Sequence, residues 1–265
     1  MHYLASRFEE RTNPAAYFPD SKSIICVGMN YHVQLNQPTA SSTGKIARYA
    51  LGDDYHELIK DRLYLLADWL RTQCDCETRC SVDTAPMMEK ELAARAGIGW
   101  MGKNTCVINE DIGSWLLLGE ILTTAELPFD QPATDRCGTC RRCLDACPTG
   151  AITAPYQLDA RKCISYLTIE HRGDIDEQLK SQIGDWLYGC DICQDVCPWN
   201  SKAIESIEPA LQPRFAAGLL PADEVLHWDQ DRYAKTLRRS AMKRVKLPQF
   251  QRNARIVIDN LTEKT

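Results

Sequence analysis

No stretch of this 265-residue chain is apolar for long enough to cross a membrane; Trp115 to Leu118 is a strand-sized piece between Ser114 and Gly119. No hydrophobic signal segment opens it either, since Met1-His2-Tyr3-Leu4 leads into polar residues. A soluble protein of the reducing cytoplasm is therefore expected, and disulfides are not the expected use of its cysteines. Histidine is scarce: there are five, and their spacing builds no clustered metal site. Apart from paired cysteine motifs there is no internal repeat. Acidic residues are missing altogether from Arg232 to Arg255, a segment with nine Lys or Arg. The net charge of -5 thus divides into a basic arm and a remainder of 22 basic against 36 acidic residues, or -14. Counterion release makes such an arm attractive to a polyphosphate backbone, and Tyr233 and Phe250 offer rings nearby; a solvated helix face would give the same charge pattern.

What the chain has in excess is cysteine. Of thirteen, eight lie between Cys137 and Cys197, opening with Cys137-x2-Cys140-x2-Cys143-x3-Cys147-Pro148. That is the bacterial ferredoxin spacing, in which three thiolates on one turn cap three irons of a cubane while the cysteine before proline ligates the other cluster. A second set follows, Cys190-x2-Cys193-x3-Cys197-Pro198, with Cys163 between the two. Four plus one plus three makes the eight thiolates that two [4Fe-4S] clusters require. Structural zinc takes four ligands, commonly as two Cys-x-x-Cys knuckles, and needs neither a third cysteine three residues on nor the proline. Single-electron transfer is the expected chemistry.

With 44% hydrophobic and 25% charged residues the chain can bury a core and hold two domains, or one with appendages. Ser23 to Tyr31 reads as a buried strand, and Tyr55, Leu58, Ile59, Leu63, Leu66, Trp69 and Leu70 recur at helical spacing. Ser81-Val82-Asp83-Thr84 reads as a short strand ending at Pro86, taken as the first residue of a helix that stops at Gly97. Trp115 to Leu122 is a further strand, Leu127 to Pro132 a linker, and the chain after Asn200 is mainly helical. The expected class is α+β: an α/β body over 1–130, a ferredoxin-like two-cluster module over 131–205 and a basic helical region over 206–265.

Two motifs mislead. Gly97-Ile-Gly99-Trp-Met-Gly102 matches the dinucleotide fingerprint, but a helix precedes it where a strand is required. Gly97-x4-Gly102-Lys103-Asn104 nearly satisfies a P-loop, with Asn104 where the magnesium-binding hydroxyl belongs. A glycine-rich loop can still let backbone approach some other large cofactor. Asp54-x-His56-x-x-Ile59 resembles the start of a cobalamin motif whose histidine becomes the lower cobalt ligand, but Ile59 replaces the expected glycine, so His56 is expected to be an ordinary helix histidine.

At Val82-Asp-Thr-Ala-Pro-Met-Met-Glu89, Gly99-Trp-Met-Gly-Lys-Asn104, Gly113-Ser-Trp115, Cys163-Ile-Ser-Tyr-Leu-Thr-Ile-Glu170 and Cys190-Asp-Ile-Cys-Gln-Asp-Val-Cys-Pro-Trp-Asn200 the sequence resembles the epoxyqueuosine reductases. The resemblance implies a cobalamin-dependent oxidoreductase that removes the epoxide oxygen of a modified base in the tRNA anticodon loop, completing queuosine. It implies Cys137, Cys140, Cys143 and Cys197 on one cubane and Cys147, Cys163, Cys190 and Cys193 on the other, leaving Cys26, Cys74, Cys76, Cys80 and Cys106 without a role. Asp83 takes the family's proton-donor position. A carboxyl with a pKa of about 3.9 would be ionised at neutral pH, so the role asks for a desolvating pocket; the plainer reading is that Asp83 complements the helix start at Pro86. Cobalamin would lie against the α/β body, touching Lys45, Ile46, Ala47, Arg48, Tyr49, Asp83, Gly99, Trp100, Met101, Gly102, Lys103 and Asn104, with no histidine below the cobalt. Arg238, Arg239, Lys243 and Arg244 would grip the tRNA backbone. An external low-potential donor, a monomer and no membrane complete the expectation. Family members ordinarily carry a segment before the position of Met1 and some extend further at the C-terminus; either the start is set too late here or the chain is short, and in the second case a strand and helix of the cobalamin domain are missing. Reductive dehalogenase-like chemistry on a small molecule, a plain two-cluster electron carrier and a zinc-stabilised RNA-binding module are the alternatives.

Overall fold

The computed structural model describes residues 6–35 and 42–263; the opening Met1 to Leu4 lie outside them. Two short helices, α1 (Phe8–Thr12) and α2 (Pro14–Tyr17), come first, the second started by the Asn13 side chain, which accepts from the Ala15 N–H, and by Pro14 in the first turn. Strand β1 (Ser23–Asn30) then enters the main sheet and β2 (Thr43–Ile46) a second one. Asp54 caps α3 (Tyr55–Gln73), whose Ile59, Leu63, Ala67 and Leu70 form one buried stripe, while Trp69 is turned outward. After β3 (Thr78–Ser81), α4 (Glu89–Arg95), the hairpin β4 (Trp100–Met101) with β5 (Val107–Ile108), and β6 (Leu116–Thr123), the body is complete. Its sheet is antiparallel in the order β1-β6-β3, with Cys26 and Ser81 both opposite Glu120.

The expected strand over 81–84 and helix start at Pro86 are corrected. Strand β3 stops at Ser81, Asp83 takes a left-handed φ of 48°, and α4 begins only at Glu89. Glu89 turns back to accept the Asp83 N–H, so residues 83–88 form a closed turn and Asp83 cannot act as a helix-start charge.

The cysteine-rich part is built from short pieces: α5 (Arg142–Ala146), β7 (Ile152–Ala154), β8 (Gln157–Leu158), α6 (Ile164–Ile169), α7 (Glu177–Ile183), β9 (Trp186–Tyr188) and α8 (Ile192–Asp195). The chain ends in β10 (Leu219–Pro221), α9 (Ala222–Leu226), α10 (Gln230–Thr236) and α11 (Leu247–Thr262). Strand β2 lies between β9, parallel to it, and β10, antiparallel, so one sheet draws a strand from each of the three expected segments. Helix α11 locks this arrangement: Asn253 donates to the carbonyls of Thr168 and Leu187, and Asn260 to those of Lys180 and Gly184. Tyr233 on α10 and Phe250 on α11 are buried in the core and offer no exposed rings. Among the described residues no helix is long and apolar enough to cross a membrane.

Arg48 joins body to cluster module. Its backbone N–H and guanidinium both donate to Asp191 (2.9 and 3.1 Å), the guanidinium also reaches Asp195 (2.7 Å) and the Val33 carbonyl (3.1 Å), and it lies over the Trp115 ring. Asp191 is buried, which raises its pKa to about 7 against the opposing pull of Arg48. Replacing Arg48 with Met removes the partner and leaves the carboxyl buried; a loss of about 3 kcal/mol, near the low end for a broken buried pair, is expected in denaturant unfolding of anaerobically prepared protein.

Candidate active site and cluster cradles

Asp83 stands where three elements meet: the end of β3, the first turn of α3 and the start of α4. Its carboxylate accepts a hydrogen bond from His56 Nε2 at 3.1 Å, while Nδ1 of the same ring lies 2.6 Å from Asp54. His56 is on α3 because Asp54 caps that helix, which places the imidazole between two carboxylates. Burial by itself would lower the His56 pKa, but the hydrogen bonds to Asp54 and Asp83 outweigh it and raise it to about 9. The ring is charged at neutral pH and both nitrogens donate. His56 is therefore no ordinary helix histidine, and the readable signal was Asp54-x-His56 itself, a cap and a ring on one turn.

The desolvating pocket expected around Asp83 is absent from the site as described: its side chain is 56% exposed. The carboxylate stands instead beside the charged His56 ring. Behind the turn lie Glu89, raised to about 7 by burial, and Glu120, raised to about 9 by burial with Glu89 adding to it.

The thiols fall into two groups. Cys137, Cys140, Cys143 and Cys197 line one cavity of about 80 Å³ together with Lys103 and Trp199. Cys147 is turned elsewhere, accepting from the Ala151 N–H at 3.3 Å. Its charge is felt at Cys163 and Cys190, and Cys193 in turn feels both of those. Among the described residues no three His, Cys, Asp or Glu side chains converge on one point for a single ion; a cubane takes its thiolates at separate irons, and four soft donors around one cavity suit it. Cys106, given no role by its spacing, sits against Cys193. Cys74 and Cys76 touch at 3.6 Å on the loop after α3, and Cys80 lies on β3.

The remaining expected contacts are placed as follows. Ile46 and Ala47 are fully buried, Lys45 pairs with Asp185 over Trp186, and Tyr49 packs against Tyr55 and Tyr188. Lys103 is buried, its ammonium donating to the carbonyls of Gly138 and Cys140, and Asn104 reaches the Cys193 carbonyl at 3.4 Å. Trp100 is buried edge-on to Trp199, and Met101 is half-buried beside it on β4. The glycines at 99 and 102 answer to the β4–β5 hairpin: a Cβ on Gly99 would come within 2.2 Å of the Ile108 carbonyl, and one on Gly102 within 2.5 Å of the Ile108 side chain. Side chains at 45–48 and 103–104 are thus spent inside the protein. Gly113, with φ of 72°, lets Asn200 close in, whose Oδ1 accepts the Ser114 N–H at 2.7 Å.

Arg238, Arg239, Lys243 and Arg244 are all exposed. Arg244 is paired with Glu170, and Arg239 lies 3.7 Å from Asp53 and 3.8 Å from Glu57. The Arg239 carbonyl accepts the Asp54 N–H at 2.7 Å, so the basic turn abuts the helix start that carries His56.

Residues 11–84 match the family model described as epoxyqueuosine reductase QueG, DUF1730, and residues 136–200 the one described as a 4Fe-4S double cluster binding domain. An epoxyqueuosine reductase of Synechococcus sp. (strain RCC307) is 47% identical over 89% of this chain and 73% of its own length. A crystal structure of epoxyqueuosine reductase with an epoxyqueuosine-modified tRNA-Tyr stem loop superposes with a TM-score of 0.92 at 32% identity, over 97% of this chain and 69% of that one. A Bacillus subtilis epoxyqueuosine reductase whose catalytic aspartate loop is swung out of the active site gives 0.91 at 30% identity, over 97% and 70%.

The charged His56 carries a stability signature. Because its pKa is raised from 6.5 to about 9 on folding, its contribution is complete below about pH 6.5 and is lost as pH rises through about 9. His56 should account for about 1–2 kcal/mol of the difference between denaturant titrations at the two ends, discounted for a side chain 30% exposed, and His56→Gln should lose that part while the loss due to buried Glu120 remains.

Proposed function

The chain belongs to the epoxyqueuosine reductase family, and on that premise we propose that Asp83 is its proton donor, His56 its positioning partner and the two cysteine groups its electron route. It is an oxidoreductase that reduces epoxyqueuosine to queuosine in tRNA. The observation that carries the assignment of roles is the Asp83–His56 pair: an exposed carboxylate, held by a protonated imidazole, on a strained turn beside the basic stretch.

The reaction takes an oxygen out as water, consuming two electrons and two protons, and clusters pass electrons one at a time. Cys137, Cys140, Cys143 and Cys197 would hold one cluster, and Cys147, Cys163, Cys190 and Cys193 the other. Cobalamin, when bound, supplies a cobalt that cycles between low oxidation states and so connects single-electron delivery to a two-electron reduction. Its seat is proposed on the Asp83 side of the body, where that carboxylate stands exposed. Backbone of 45–49 and 99–104 would flank it, since those side chains are largely engaged elsewhere.

The remaining steps belong to the chain's own groups. His56 holds Asp83 in place by donating through Nε2, and Asp54 fixes the ring from the other side. Substrate covering the exposed carboxyl group removes water from it, which favours its neutral, proton-bearing form in the way that the open site does not. The basic turn at Arg238–Arg239, with Lys243 and Arg244, would bind the tRNA backbone next to the donor. A low-potential external donor, a monomeric state and a reducing cytoplasm that keeps the cysteines out of disulfides complete the proposal.

Three measurements test it. Asp83→Asn should keep metal content and tRNA binding while turnover falls by about 10²-fold or more, the share of a general acid; full activity would remove Asp83 from the role. Anaerobic protein should contain about eight irons and one cobalt, and Cys163→Ser and Cys197→Ser should each lose about half the iron, with different clusters surviving by electron paramagnetic resonance. Changing Arg238, Arg239, Lys243 and Arg244 together to Ala should weaken tRNA binding and flatten its dependence on salt by up to about four contacts.

A further inference from the structure

Glu120 lies in the middle of β6, 0% exposed, and neither of its carboxyl oxygens has a hydrogen-bond partner. An ionised carboxylate left unpaired there would be prohibitively costly, so the group must carry its proton. Register places its neighbours. Cys26 on β1 and Ser81 on β3 are its cross-strand partners and share its face, Ser81 lying two residues before Asp83 in the chain. The same face receives α4, which packs on β1 and β6 and begins with Glu89. Glu89 in turn accepts the Asp83 N–H. Nothing in the roles assigned above uses either glutamate.

We propose that Glu89 and Glu120, stacked behind the Asp83 turn on one face of the central sheet, form the proton reserve that reloads Asp83 after it has protonated the departing oxygen. This rests on Asp83 being the donor. Each turnover removes one oxygen as water with two electrons, brought through the clusters from the external low-potential donor, and two protons. Asp83 gives its O–H proton to that oxygen and is left as carboxylate; the Glu89 carboxyl proton then moves to Asp83, and the Glu120 proton replaces it on Glu89. Asp83 donates the second proton in the same way and is again reloaded from Glu89, which leaves both glutamates ionised; two protons from solvent then restore them, so two enter for every two consumed. The Glu120 oxygens are unpartnered at rest, so the inner transfer requires a side-chain swing or an intervening water.

The groups around the pair suit this order. Glu120 is raised to about 9 by burial, then by the charges of Glu89 and Asp83, the Ser81 hydroxyl opposing; Glu89 is raised to about 7 by burial, the Asp83 N–H, His56 and Lys90 opposing its contact with Asp83. Burial pushes the Cys26 thiol up to about 12, with both glutamates adding, so it stays neutral. The outer acid thus titrates near working pH, where proton transfer is most efficient in both directions, and the inner one remains loaded.

Glu120→Gln in the holoenzyme tests the reserve. Wild type should show an infrared carbonyl band of a protonated carboxyl at neutral pH that disappears near pH 9, absent from the variant. Wild type should lose stability as pH rises from 4.5 to about 9, and the variant should not share that part of the loss. Iron, cobalt and tRNA affinity should be unchanged and a first turnover retained, while repeated turnover at about pH 8 falls about ten-fold. A rate–pH profile superimposable on wild type, or no protonated carboxyl at neutral pH, overturns the reserve. If the variant does not fold, Glu89→Gln, at the half-buried start of α4, should slow repeated turnover in the same way, and an unmoved profile there also overturns it. An active Asp83→Asn enzyme would instead remove the donor and the reserve together, whereas an inactive one with an unmoved Glu120→Gln profile removes the reserve alone.

Discussion

The contact between Arg48 and Asp191 carries the geometry of the electron route. Taking both charges out of water costs several kcal/mol for each ion, and only close, multiple hydrogen bonds repay it. Arg48 supplies them with its backbone N–H, guanidinium contacts to two aspartates and one carbonyl, and the face of Trp115 beneath it. Asp191 sits between Cys190 and Cys193 in the chain, so whatever holds it also holds two thiols. The body and the second cysteine group therefore cannot separate without exposing a buried acid. Gln194 and Asn200, bonded to Tyr31 and Ser114, repeat the attachment on the far side of the same loop.

Charge is handled differently beside the cysteines and beside Asp83. Near the cysteines, cations are neutralised inside the protein: Lys103 is spent on two carbonyls of the ferredoxin turn, where a buried ammonium also offsets the negative charge that thiolates bring. Around Asp83, titratable groups with raised pKa values collect instead. A charged imidazole, an acid titrating near neutrality and a buried neutral acid surround one exposed carboxylate. Such a concentration of displaced titrations at one turn is how proteins prepare proton transfer at fixed pH.

Much of this architecture is legible without coordinates. Strands β1 and β6 and helix α3 follow from apolar runs and a 3.6-residue period, because each is long enough for periodicity to be unambiguous. The dinucleotide match failed for the reason its context suggested, and the hairpin shows what its glycines do. The start of α4 was misread because Pro86 suits a first helical turn, whereas Glu89 is needed to close the turn at Asp83. Tyr233 and Phe250 were placed beside the basic arm by proximity in sequence and are instead core residues. Residues 45–49 form a seam between segments, since β2 pairs with strands about 140 and 175 residues away, a partnership no local pattern encodes.

The sequence by itself determined the outline of the supply side: cysteine spacing supplies eight thiols, enough for two clusters, and turns Cys147 away from its three neighbours, because a ferredoxin turn is a local structure and its geometry follows from neighbours along the chain. It also marked Asp83, through a fixed string of residues. Only the tertiary structure decided what surrounds that carboxyl group. His56, Glu89 and Glu120 come from three different elements, and their protonation depends on burial and on one another's charge. Those are properties of where side chains meet in space, and spacing along the chain does not carry them.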